Sequence, residues 1–260
     1  MNKTLVITGG SSGIGLATAT LFHQKGWTVY ELSRHGQSHD GINHIDCDVV
    51  SPESVQAAVR EVLRLTSSID VLISNAGYGI SGAIEFTEPE DAKRQMDVNF
   101  FGALNLVQAV LPQMRRQQYG RILFTSSVAA VLPVPYQAFY SASKAAINAM
   151  ALALANEVRP FHIYVGCLMP GDVATGFTGA RDKSEKGAEV YANITKAVSA
   201  MEKDEQNGMK PEQMAGIFYR MATSRHPAPY YIGGLPYKIF AFLNRLLPTR
   251  FVNWVEGVMY

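Results

Sequence analysis

Along the chain, short apolar and β-branched runs alternate with longer stretches in which apolar residues recur at helical spacing. The short runs are TLVIT at 4–8, TVYEL at 28–32, HIDCDV at 44–49, DVLIS at 70–74, RILFTS at 121–126 and IYVGCLM at 163–169. Most of them are apolar at nearly every position, which predicts strands covered on both faces. The intervening segments 13–25, 51–66, 88–116 and 136–158 have the spacing of helices that lie against a sheet. The alternation predicts an α/β fold: a doubly wound, Rossmann-like parallel sheet in three layers (α/β/α), forming one domain over 1–260.

Local signals agree. Ser51-Pro52-Glu53 offers a capping hydroxyl, a proline at the first helical position and early negative charge, and Lys210-Pro211-Glu212 offers a second proline start. Beyond residue 170 the periodicity decays, and 176–208 mixes glycine, charge and helical fragments as expected of a flap over a cleft. PYYIGG at 229–234 predicts a last edge strand, and 235–260 predicts a helical extension of two short pieces. That extension carries Phe240, Phe242, Leu246, Leu247, Phe251, Trp254 and Val255. Burial against the domain, a roof over a substrate pocket, a subunit interface and peripheral membrane contact are its four readings, in that order.

Composition narrows the functional classes. Hydrophobic residues make up 47% and charged residues 17%, which is a globular balance rather than a disordered one. Lys plus Arg number 23 against 22 Asp plus Glu, so no overall field favours a nucleic-acid partner. The two cysteines, Cys47 and Cys167, lack C-x-x-C spacing and are read as reduced core residues. The chain passes from Met1-Asn2-Lys3 straight into a strand pattern, without a signal-like apolar segment or a run long enough to span a bilayer. The expected location is cytoplasmic.

Candidate chemistry begins at Gly9-Gly10-Ser11-Ser12-Gly13, set between a strand and a helix. A helix N-terminus leaves backbone N–H groups unpaired, with the positive end of the helix dipole behind them. Glycine and serine let a pyrophosphate approach those groups closely. The spacing Thr8-Gly9-x-x-x-Gly13-x-Gly15 is neither G-x-G-x-x-G nor a Walker loop, and an ordinary tight turn would also account for it in isolation.

Further motifs follow in order: LISNAG at 72–77, DVNFFG at 97–102, Ser127 thirteen positions before Tyr140, YSASK at 140–144 and PGDVAT at 170–175. As an ordered set spanning about residues 3 to 175, they resemble the short-chain dehydrogenase/reductase family of the compact single-domain type. The resemblance implies a nicotinamide dinucleotide across the carboxyl ends of the strands, where open α/β sheets bind ligands. It assigns Gly9, Ser11, Ser12, Gly13, Ile14 and Gly15 to the phosphate turn, Asn75, Ala76 and Gly77 to the adenosine side, and Asp48 and Val49 to the adenine. Pro170, Gly171, Val173 and Thr175 fall beside the nicotinamide amide, and Asn99, Ser127, Tyr140 and Lys144 match the catalytic tetrad. The likeness also implies a homo-oligomer, a dimer or tetramer. Two departures are Ser74, where a second Asn often stands, and Gly-Cys-Leu-Met at 166–169, without the Asn often found there.

Tyr140 and Lys144 are four apart, so on a helix they share a face. A phenol's pKa is about 10, and a cation within roughly 4–6 Å lowers it by about 1–3 units, towards general acid–base range. In this reading Ser127 hydrogen-bonds the substrate oxygen, Tyr140 moves the proton, and Lys144 tunes Tyr140 and holds the nicotinamide ribose. Asn99 keeps a water in the proton path, a role that rests on the family likeness alone.

At the end of the second strand, Ser33 and Arg34 stand where an NAD-preferring domain would carry a carboxylate, and a guanidinium suits a 2′-phosphate. NADP(H) is therefore expected over NAD(H), with Glu31 as the complication because it shares a strand face with residue 33. His35, His39 and His44 with Asp40 and Asp46 fit no zinc spacing and read as a solvated loop, so no metal is expected. Ser141-x-x-Lys144 also matches the S-x-x-K of serine acyl hydrolases, whose partner motifs S-D-N and K-T-G are absent. The expected activity is hydride transfer between NADP(H) and an alcohol or ketone. The small-molecule substrate is expected to be apolar, steroid-like, retinoid-like or aliphatic, in a cleft lined by Val128, Leu132, Val134, Tyr136, Phe139 and Phe177. The alternative is a non-catalytic NADP-binding regulatory protein on the same scaffold.

Overall fold

The computed structural model describes residues 2–259, and its centre is a seven-stranded sheet in the order β3-β2-β1-β4-β6-β7-β9 with every pairing parallel. In chain order the elements begin β1 (Thr4–Thr8), α1 (Gly13–Gln24), β2 (Thr28–Ser33), β3 (Ile42–Asp46), α2 (Pro52–Leu65) and β4 (Val71–Ser74). A two-residue strand β5 (Ile80–Ser81) precedes α3 (Pro89–Met96), a π-turn at Asp97–Phe101 and α4 (Gly102–Gln117). Then come β6 (Gly120–Thr125), α5 (Ala138–Glu157) and β7 (Ile163–Met169). The remainder is α6 (Phe177–Ala180), β8 (Asp182–Lys183), α7 (Ile194–Gln206), α8 (Pro211–Thr223), β9 (Tyr230–Ile232), α9 (Leu235–Leu246) and α10 (Thr249–Met259).

The continuous apolar runs form the strands for the reason given: both sheet faces are covered. β1 and β4 are buried at every position. Beneath one face, Leu72, Ile122 and Phe124 pack with Val59 and Val62 of α2, Leu106 and Val110 of α4, and Ile147 of α5. Beneath the other, Leu5, Ile7 and Ile73 pack with Phe22 of α1 and Phe218 and Met221 of α8. Chain order reverses between β1 and β4, which opens a crevice at the carboxyl edge where the loops diverge.

The structure departs from the sequence expectation at three places. The third strand spans 42–46 rather than 44–49, because the chain leaves the sheet at Cys47 to reach Ser51, whose hydroxyl caps α2 by accepting from Ser54 N at 3.1 Å. The single helix expected over 88–116 is interrupted by the π-turn, which carries Asn99 inward. The flap segment pairs β8 in parallel with β5, tying it to the loop after β4. Both cysteines are buried and unpaired, and burial pushes the Cys47 thiol up to about 11 and Cys167 up to about 12.

Phe22 is fully buried and meets Trp27 and Tyr219 edge-on, with ring centroids 5.0 Å and 5.3 Å away. Phe22→Ala is expected to lower unfolding stability by about 3–5 kcal/mol in a urea titration.

Candidate active site

β1 delivers the chain into the glycine turn, which closes on itself tightly. Gly9 has φ +63°, a conformation side-chain-bearing residues rarely adopt, and a Cβ on Gly15 would stand 2.0 Å from the Gly9 carbonyl oxygen. Asn75, at the end of β4, braces this turn. Its Nδ2 donates to the carbonyls of Thr8 at 3.1 Å and Gly9 at 3.2 Å, and its Oδ1 accepts from Thr125 Oγ1 at 2.9 Å. The Thr8 hydroxyl oxygen accepts in return from Asn75 N and Ala76 N. One amide thus joins the ends of β1, β4 and β6. α1 begins at Gly13 without a side-chain cap from Ser12, so its first amides remain available to an anion, and Ser12, Gly13 and Ile14 line the cleft. This bare cradle fits a dinucleotide diphosphate.

Of the other residues expected at the cofactor, Gly9, Asn75, Ala76, Gly77, Pro170, Gly171, Val173 and Thr175 line the same cleft of about 1300 Å³. Ser11 lines a smaller hollow of about 400 Å³ beside it, with Gly10, Glu31, His35 and Gly36. Asp48 and Val49 lie outside the cleft lining: the Asp48 carboxylate accepts from Val50 N, and Val49 is buried against Gly102. Ser33 ends β2 with its hydroxyl buried and unpaired, and Arg34 is exposed without an ion pair among the described residues.

In the histidine-rich segment His35, His39, Asp40 and Asp46 are exposed as the sequence suggests, whereas His44 lies on β3 and is half-buried. His44 Nδ1 lies 2.5 Å from Glu31 Oε2 and its Nε2 lies 3.0 Å from Asp46 Oδ1, while Glu31 is buried beneath Gly10. Burial of the imidazole opposes its charge, but the hydrogen bonds to the two carboxylates outweigh that and raise the His44 pKa. Among the described residues there is no group of three or more His, Cys, Asp or Glu side chains placed to hold a metal.

α5 presents Tyr140 and Lys144 to the cleft, together with Ser127 from the loop after β6. Lys144 is 4% exposed. Its Nζ donates to the Thr125 carbonyl at 2.8 Å and stands 5.7 Å from the centre of the Tyr140 ring. Burial pushes the Lys144 ammonium down to about 8. Burial likewise pushes the Tyr140 phenol up to about 12, against the opposing effect of its hydrogen bond with Ser127. This corrects the sequence argument, which took Lys144 to lower the phenol: desolvation is the larger effect, and the ammonium is hydrogen-bonded to a strand-end carbonyl. Asn99 is placed by the π-turn, its Oδ1 accepting from Tyr78 N and its Nδ2 donating to Tyr78 O and Ser143 Oγ, each at 3.0 Å. Its side chain therefore locks the 75–78 loop to α5.

Phe177, expected in the cleft, is joined there by site residues that carried no recognisable sequence signal. Phe177 of the flap packs against Tyr140 with ring centroids 5.7 Å apart, and the buried Arg181 stacks 5.6 Å over Phe177 while pairing with Glu205. α9 crosses the cleft rim: the Tyr237 ring lies on Gly171, its hydroxyl donates to Asp172, and Asn244 Nδ2 donates to the Val131 carbonyl at 2.9 Å. Val128, Leu132, Val134 and Phe177 line the cleft as expected, whereas Tyr136 and Phe139 do not. Tyr136 instead turns at φ +60° and accepts from Gly82 N.

The fold, the glycine turn and the Ser-Tyr-Lys grouping define a dinucleotide-dependent oxidoreductase of the short-chain kind. The family signature described as short chain dehydrogenase matches residues 3–186, and the chain belongs to the short-chain dehydrogenase/reductase family, an NAD(P)-dependent oxidoreductase by class. It is 38% identical to a 3-ketodihydrosphingosine reductase from Bacteroides thetaiotaomicron, the match covering 99% of this chain and 98% of that protein. It is 34% identical to the probable short-chain type dehydrogenase/reductase VdlC of Helicobacter pylori, over 97% and 95% of the two chains. A short-chain dehydrogenase structure from Streptomyces avermitilis superposes with a TM-score of 0.85 at 27% identity, over 95% and 92%.

The depressed Lys144 pKa has a stability consequence of definite sign. Below about 8 the lysine is charged whether the chain is folded or not; between about 8 and its ordinary value of 10.5 the unfolded chain holds the extra proton. Wild-type stability should therefore rise relative to Lys144→Met across that window. Urea titrations of both proteins at pH 7, 9 and 10 check this, and a difference that stays flat with pH would contradict the buried ammonium.

Proposed function

We propose that the protein is an NADP(H)-dependent reductase of long-chain, apolar ketones that carry a cationic amine near the carbonyl. One observation carries the reading: the cleft at Ser127 and Tyr140 runs on beneath α9 and α10, past Phe240, Leu243, Leu247, Phe251, Val252 and Val255. Such a lining suits an alkyl chain. Lys144 is the only cation among the lining residues, and of the lining carboxylates Glu205 is already paired with Arg181, which leaves Asp172, Asp204 and Glu256; that balance suits an ammonium on the substrate better than a carboxylate or phosphate. The relative named for 3-ketodihydrosphingosine, matched over nearly its whole length, supports the same substrate class.

The acid–base chemistry supports reduction. A phenol held up at about 12 stays protonated at neutral pH, so Tyr140 Oη is a proton donor to a carbonyl oxygen, with the Ser127 hydroxyl as second hydrogen-bond partner of that oxygen. When bound, the dinucleotide supplies the hydride. Lys144, cationic below about 8, favours negative charge developing at the Tyr140 oxygen and offers donors to a ribose. Phe177 packs against the Tyr140 ring on one side and so limits the directions from which substrate can reach its hydroxyl.

The NADP(H) preference rests on Arg34. A guanidinium without an ion pair among the described residues can form paired bonds to a 2′-phosphate, while the carboxylate of Glu31 is engaged by His44 at 2.5 Å.

Tyr140→Phe should reduce ketone turnover by about 10²–10⁴-fold while NADPH binding, followed by nicotinamide fluorescence, persists; retention of most activity would refute the proton-donor role. Arg34→Ala should weaken NADPH binding by about tenfold or more and leave NADH binding nearly unchanged. A wild-type preference for NADH would overturn the cofactor reading.

A further inference from the structure

The C-terminal helix pair has a second apolar face that the cleft does not use. On α9 the residues facing the cleft are Leu235, Pro236, Tyr237, Phe240, Leu243 and Asn244. Ile239, Phe242 and Leu246 recur at spacings of three and four on another side, where they are 50%, 61% and 65% exposed. α10 repeats the arrangement, with Phe251, Val252 and Val255 lining the cleft and Trp254 and Val258 exposed outside it. Isolated exposed apolar side chains are ordinary; two consecutive helices that each expose large apolar side chains outside the cleft are not.

The charges beside this face indicate what covers it. Lys238, Arg245 and Arg250 are exposed and have no ion pair among the described residues, while Glu256, the one carboxylate of α9 and α10, lines the cleft. The whole chain has a formal net charge of only +1, so the cationic excess is local to this element. A helix with an apolar stripe, an aromatic side chain on it and cations along its border lies in the headgroup plane of an anionic bilayer. No helix among the described residues is long and apolar enough to cross a membrane, which leaves interfacial contact as the mode.

We propose that α9 and α10 dock on an anionic lipid surface, with Phe242, Leu246, Trp254 and Val258 inserted and Lys238, Arg245 and Arg250 at the headgroups. This rests on and deepens the reading of the cleft as a long-chain ketone site: the same two helices that roof the alkyl channel would face the lipid phase that dissolves such a substrate.

Trp254 gives a direct probe, because the chain's other tryptophan, Trp27, is buried and constant. Vesicles of phosphatidylglycerol and phosphatidylcholine in equal parts should shift Trp254 emission to the blue and shield it from acrylamide. Phosphatidylcholine alone should bind about tenfold or more weakly, and added salt should reverse the anionic binding. Phe242→Ser with Trp254→Ser should abolish co-sedimentation, and Lys238→Gln, Arg245→Gln and Arg250→Gln together should weaken it about tenfold or more. All variants should keep NADPH binding and turnover of a short water-soluble ketone within about twofold. Equal binding to both vesicle types, or no binding with Phe242-dependent self-association instead, would overturn the proposal. Vesicle binding without ketone turnover would remove the substrate reading and leave the docking surface standing; turnover without vesicle binding would do the reverse.

Discussion

The arrangement depends on an ammonium group buried at the carboxyl end of a sheet. Lys144 is almost wholly shielded from water, and its Nζ donates to the backbone carbonyl of Thr125, the last residue of β6. A buried charge is tolerated only where hydrogen bonds satisfy it, so the bond also fixes the position of α5 over the strand ends. With α5 fixed, Tyr140 one turn earlier faces the same cleft as Ser127, and Ser143 meets Asn99 from the opposite element. The depressed Lys144 pKa and the raised Tyr140 pKa share one cause, desolvation, and both follow from placing two polar groups in the wall of the cleft rather than on a surface helix.

A second set of constraints keeps the crevice in shape. Thr8, Asn75 and Thr125 join three neighbouring strand ends through side-chain bonds, so the glycine turn is held from below and need not supply its own rigidity. On the opposite rim, Arg181 with Glu205 and Tyr237 with Asp172 anchor the flap and the C-terminal helices across from the turn. Rigid floor and separately anchored roof are drawn from opposite ends of the chain. The roof can therefore vary in shape without disturbing the floor.

Sequence legibility divides along the same line. The parallel sheet was readable because strands covered on both faces leave uninterrupted apolar runs, and the floor was readable because its residue types, Gly9, Gly13, Ser127, Tyr140 and Lys144, occur at fixed spacings on neighbouring elements. Contacts across long sequence distances were not. Nothing in the local pattern brings Glu205 to Arg181, or Asn244 to Val131, since those pairs depend on how loops cross the cleft. The misplacement of Tyr136 and Phe139 in the cleft has the same origin: an apolar residue before a helix can face either way, and the positive φ at Tyr136 turns it aside. Periodicity also read 88–116 as one helix, because the π-turn leaves the helical backbone unbroken and no glycine or proline stands within 90–101 to mark it.

That π-turn has a consequence for how this part of the chain tolerates change. A turn closed by i→i+5 bonds holds one residue more than an α-helical turn, so Asp97–Phe101 offsets the two flanking helices in rotation. Upstream, Gln95 donates to the Tyr78 carbonyl, while downstream Leu106 and Val110 enter the sheet core. Removing any one of these five residues would let the segment anneal into a straight α-helix and swing Gln95 and Leu106 out of register with each other. Substitution here costs individual contacts; deletion costs the phasing of an entire layer, so length is constrained more tightly than composition.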